Sequence, residues 1–86
     1  MHVEVAFSGS VLSVEVLARF LKCLEKLIPA PVVAPKVVMG DDGAIYVKAG
    51  FATEDEACRA GEQMAEVSAE IVEDTDVLVV LAPFAV

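Results

Sequence analysis

Lys36-Val37-Val38-Met39-Gly40-Asp41-Asp42-Gly43-Ala44-Ile45-Tyr46-Val47-Lys48-Ala49-Gly50-Phe51 decides what kind of fold this chain can adopt. Two apolar runs flank Gly40-Asp41-Asp42-Gly43, and Asp-Gly between such runs marks a β-hairpin. Those residues tolerate the backbone angles that a tight reversal requires. In the second arm Ile45, Val47, Ala49 and Phe51 share one face, with Tyr46 and Lys48 on the other. A period of two describes a strand with one buried side.

Upstream, Pro29, Pro31 and Pro35 end a helix and hold a linker extended, because proline cannot continue the hydrogen-bonded spiral. The helix before them is expected from Val11 or Val14 to Ile28. Its charged residues Glu15, Arg19, Lys22 and Lys26 fall on a single stripe, which Glu25 widens slightly. The remainder, including Val16, Leu17, Phe20, Leu21, Cys23 and Leu24, is apolar over a wider arc than one sheet contact needs. Its flanks are therefore expected to touch a second surface. Further upstream, His2–Phe7 alternates like a half-buried strand, with Val3, Val5 and Phe7 on one face. Ser8-Gly9-Ser10 breaks it, and Ser10 or Ser13 can cap the helix that follows.

Downstream, Thr53-Glu54-Asp55-Glu56 is a capping box that opens a second helix. Ala57, Gly61, Met64, Ser68 and Ile71 lie on one face of that helix. Arg59, Glu62, Gln63, Glu66 and Glu70 lie on the other. Gly61 costs up to about 1 kcal/mol in a helix interior, and close approach of a neighbour is the expected compensation. Glu73-Asp74-Thr75-Asp76 reads as a turn. Val77–Ala82 reads as a strand buried on both faces and stopped by Pro83.

The order strand, helix, strand, strand, helix, strand points to an α+β, ferredoxin-like βαββαβ two-layer sandwich. It predicts a four-stranded antiparallel sheet with two helices on one face, in a single domain over residues 1–86. Its usual strand order places the last strand at a sheet edge beside the first. An edge strand apolar on both faces is a liability unless covered. Val77, Val79 and Leu81, with Phe20 on the first helix, are accordingly the expected apolar association surface.

Charge is distributed unevenly. The tract Thr53–Asp76 holds nine acidic residues against Arg59 alone, which equals the formal net charge of −8 for the whole chain. Capping accounts for Glu54, Asp55 and Glu56, and turn chemistry for Glu73, Asp74 and Asp76. Glu62, Glu66 and Glu70 remain as one exposed stripe suited to a basic protein partner. The net charge disfavours direct nucleic-acid binding, which needs Lys and Arg to displace phosphate counterions. Apolar residues make up 57% of the chain, above the roughly 45–50% of typical domains, and the excess points to self-association, first as a dimer.

No cofactor, metal or catalytic motif emerges. Glu73–Asp76 has the wrong spacing for a calcium loop, and Gly40–Gly43 repels phosphate with two carboxylates. His2 is the only histidine and has no motif-placed nucleophile beside it. Cys23 and Cys58 fit small reduced core residues, with a bridge between them left open. Neither a signal peptide nor a bilayer-length apolar run is indicated, so a cytoplasmic protein is expected. The absence of Asn and the single Gln63 hint at a thermophilic source.

The expectation is a non-enzymatic interaction module, a small homo-oligomer or accessory subunit. Its alternative is a small-molecule-binding regulatory module with ligand at a dimer interface, lined by Ser8, Gly9, Ser10 and Gly50.

Overall fold

In a computed structural model, residues 4–6 and 11–86 are described, with the side chains of 14–86. The elements are β1 (Glu4–Ala6), α1 (Val11–Glu25), β2 (Val33–Met39), β3 (Ile45–Phe51), α2 (Glu54–Thr75) and β4 (Val79–Ala85).

The hairpin forms where its sequence placed it. Gly43 N–H donates to the Gly40 carbonyl at 3.0 Å, and Gly40 N–H donates to the Ala44 carbonyl at 2.8 Å. The Asp42 carboxylate accepts the Ala44 N–H at 3.0 Å. Gly43 sits at φ 83°, a left-handed conformation that a side chain would strain. Asp41, Asp42 and Gly43 are thus a three-residue loop closing with a left-handed glycine. That loop length pairs Met39 with Ile45, Val37 with Val47 and Lys36 with Lys48.

The sheet corrects the ferredoxin-like expectation of four antiparallel strands. Three seven-residue strands, β2, β3 and β4, form its body, and the three-residue β1 lines the free side of β2. Only β2 and β3 pair antiparallel; β1 runs parallel to β2, and β3 parallel to β4. Each helix therefore joins two strands that are neighbours, whereas the expected layout required each crossover to skip a strand. The last strand lies beside β3, not beside the first. Both helices pack on the same face, in one core with Val37, Val47 and Phe51. Two adjacent β-α-β units that run in opposite directions, with helices on one side, are necessarily of opposite hand. One of them departs from the right-handed rule.

The last strand runs Val79–Ala85 rather than Val77–Ala82, with Val79 its one fully buried residue, and three other boundaries move for local reasons. The first helix ends at Glu25, not Ile28. Lys26 and Leu27 donate to the carbonyls of Cys23 and Leu24 three residues back, and Ile28 precedes a proline, which disfavours helical angles. The strand before the hairpin begins at Val33 and includes Pro35, which falls at the irregularity in the ladder to β3 between Val33 and Lys36, a position where a proline is tolerated. The acidic turn at 73–76 is mostly helix: α2 runs to Thr75, and Asp76 closes it at φ 59°, donating its N–H to the Val72 carbonyl at 2.9 Å.

The core comes from both helices and the inner sheet face. Val16, Leu17, Phe20 and Leu24 of α1 meet Ala57, Ala60, Met64 and Ile71 of α2 over Val37, Ile45, Val47, Ala49, Phe51 and Val79. Leu21, Cys23 and Leu27 are half-buried flanks packed against that cluster. The Thr53 hydroxyl accepts the Glu56 N–H at 3.2 Å and caps α2 as its sequence indicated.

Candidate functional site

The molecule has two contrasting outer surfaces, and α2 supplies the first. Its buried line, Ala57, Ala60, Met64, Ser68 and Ile71, turns Glu62, Glu66 and Glu70 to solvent, where all three are exposed. Negative charge also crowds the wrong end of this helix. Glu73, Asp74 and Asp76 lie at its C-terminus, where the dipole favours cations, and no basic residue occupies its last turn. Arg19 of α1 reaches across to Asp74 at 3.1 Å. Both side chains are largely exposed, so the pair is worth at most about 1 kcal/mol.

The second surface is the outer face of the sheet, the side that carries neither helix. Strand register arranges it in three rows: Val33, Gly50 and Phe84; Glu4, Lys36, Lys48 and Ala82; Ala6, Val38, Tyr46 and Val80. Lys36 and Lys48 are exposed, and Phe84 is 43% exposed. Gly50 is roofed over by its neighbours: a Cβ there would lie 2.8 Å from Val33 Cγ2 and 2.9 Å from Phe84 Cε2. The Tyr46 ring covers Gly40 in the same way, at 2.6 Å from such a Cβ.

The residues singled out for association separate sharply. The side chains of Phe20 and Val79 are entirely buried in the core, where no partner reaches them. Val77 and Leu81 are half-buried. Leu78, Phe84 and Val86 near β4 are exposed instead, as are Ile28, Val32 and Val33 around the linker and Val14 on α1. Phe84 and Val86 lie beyond Pro83, where the strand was expected to have stopped.

That extension follows from the edge. Ile45 N–H donates to Leu78 O, and Val86 N–H donates to Phe51 O. Even-numbered residues of β4 therefore bond to β3, and odd-numbered ones turn their amides to the open rim. Pro83 falls at an outward position, so its missing N–H costs the ladder nothing. It also removes a donor from the rim. With Val79 buried and Pro83 lacking an N–H, the edge expected to be adhesive is blunted.

The other candidates separate as plainly. Ser8, Gly9, Ser10 and His2 lie outside the described residues. Gly50 is enclosed by the apolar Val33 and Phe84 and offers no polar lining to a ligand. Cys23 is half-buried, Cys58 is exposed on α2, and both thiols are free. Among the described residues no group of three His, Cys, Asp or Glu is placed to hold a metal ion. No described helix is long and apolar enough to cross a membrane. Among the described residues, one concavity open to solvent lies on α1 along Arg19, Leu21, Lys22 and Glu25, and another lies between Cys58 and Phe84.

The Lys36–Lys48 pairing was missed in the sequence, although a signal for it existed. A three-residue loop closed by Gly43 fixes the register, and with it which residues stand opposite each other.

Comparison with protein families, with curated proteins and with solved structures gives no match.

Proposed function

We propose that this protein is a non-enzymatic interaction module, acting as a homodimer or as a small accessory subunit of a larger assembly. The observation that carries the reading is the segregation of its surface. Glu62, Glu66 and Glu70 form an exposed acidic crest on α2, while Leu78, Phe84, Val86 and the outer sheet face leave apolar area elsewhere. The crest suits a basic protein partner. Charge matching of this sort speeds and orients association more than it tightens it. The apolar surface supplies the burial that holds a complex together, at roughly 25 cal/mol per Å² removed from water.

The test is a paired one. The chain, isolated from its native source and run by sedimentation velocity over a concentration series, is expected to sediment as a dimer or with a co-purifying protein. Reversing the crest (Glu62→Lys, Glu66→Lys, Glu70→Lys) is expected to release a basic partner while leaving any dimer intact. A variant that retains every partner at unchanged affinity would remove the crest from the account.

A further inference from the structure

The outer sheet face carries a more specific reading. Among the described residues no element packs against it, yet two of its strand pairings, β1 with β2 and β3 with β4, are parallel. Parallel strands occur mostly in sheets covered on both faces. The face is apolar at Val33, Val38, Val80, Ala82 and Phe84, and Lys36 stands directly opposite Lys48 across the antiparallel pair. Like charges in that position destabilise a sheet. Neither ammonium has a carboxylate partner among the described residues. Two of the chain's six basic residues thus sit together on this face without a carboxylate partner among the described residues, and register sets Glu4 of β1 beside Lys36.

We propose that this face docks an amphipathic helix with acidic flanks, contributed by a partner protein. Its apolar stripe would lie on Val38, Tyr46, Val80 and Phe84, and its carboxylates would meet Lys36 and Lys48. The dimensions agree. The span from β2 to β4 is about 10 Å at 4.8 Å per strand, close to the roughly 10 Å diameter of a helix. A helix there adds the third layer that turns a one-sided sheet into a covered one. The inference rests on the accessory-subunit form of the proposed function.

Two other occupants fit less well. A second copy stacked sheet to sheet would set Lys36 and Lys48 of one copy against the same pair of the other, and burying like charges together is costly. Single-stranded nucleic acid would find two lysines and two aromatic rings. Its affinity grows with the number of phosphates neutralised, and two lysines on a chain of net charge −8 neutralise few.

The experiment is an amide-shift titration of the ¹⁵N-labelled full chain with three probes: a designed helix with a leucine stripe flanked by glutamates, the same helix with lysines, and an oligouridylate. The acidic helix is expected to shift amides within 33–38, 46–50 and 80–84. The double variant Lys36→Glu, Lys48→Glu, with its fold checked by circular dichroism, is expected to weaken that binding on the order of tenfold, a few exposed charge pairs' worth. Lys26→Glu, just past the end of α1, is expected to leave it unchanged. The proposal is overturned by absence of shifts on those strands, by equal binding of the lysine helix there, or by tighter binding of the oligouridylate. Shifts confined to the acidic crest with the lysine helix report on the proposed function separately, so failure of one is distinguishable from failure of the other.

Discussion

Gly61 and Gly50 are both interior glycines, and the structure assigns them opposite roles. A Cβ at Gly61 would meet Pro83 Cγ at 3.4 Å, an ordinary van der Waals distance rather than a forced approach. The expected compensation for a helical glycine is therefore small. Gly61→Ala is predicted to raise stability by about 0.5–1 kcal/mol, read from the urea midpoint at unchanged slope. At Gly50 a Cβ would press at 2.8–2.9 Å on Val33 and Phe84. Gly50→Ala is predicted to cost about 1–3 kcal/mol by overpacking, and a neutral result in the same assay would show that the two side chains are loose. Sequence alone gave no means of separating these glycines, because the difference lies in what crosses over each from another strand.

At the scale of elements, the features legible in the sequence were those governed by neighbours in the chain. The Thr53 cap, the loop at Gly40–Gly43 and the inward face of β3 each follow from side-chain chemistry within a few residues. Thr53→Ala is predicted to cost about 1 kcal/mol, measured by thermal unfolding. What failed was the pairing of strands across crossovers. The order of strands and helices is compatible with a split antiparallel sheet or with two adjacent parallel units, and no local residue chooses between them. The same gap misjudged β4: Pro83 looks like a terminator until the neighbouring strand shows that its amide position faces the rim. Restoring a rim donor with Pro83→Val is predicted to increase concentration-dependent association, followed by light scattering. An unchanged signal would mean that the edge is protected by something other than this proline.

The whole molecule divides into a core shared by α1, α2 and one sheet face, and an outside with charge on one side and apolar surface on the other. The core is compact enough that single losses are severe. Phe20→Ala is predicted to cost about 3–5 kcal/mol, a large part of the roughly 4–13 kcal/mol expected for a chain this size. Removing the exposed Arg19–Asp74 pair is predicted to cost less than about 1 kcal/mol. Stability thus comes from the buried side, which leaves the acidic crest and the outer sheet face available for binding. Sequence indicated the crest, since Glu62, Glu66 and Glu70 recur at helical spacing. The sheet face is legible only indirectly, through the loop at Gly43 that sets the hairpin register and so brings its lysines together.

The central claim is that this chain works by association. Sedimentation velocity of the chain as isolated from its native source, over a wide concentration range, addresses it most directly. The account predicts a dimer or a complex with another protein. A monomer at every concentration, with nothing co-purifying, would contradict it.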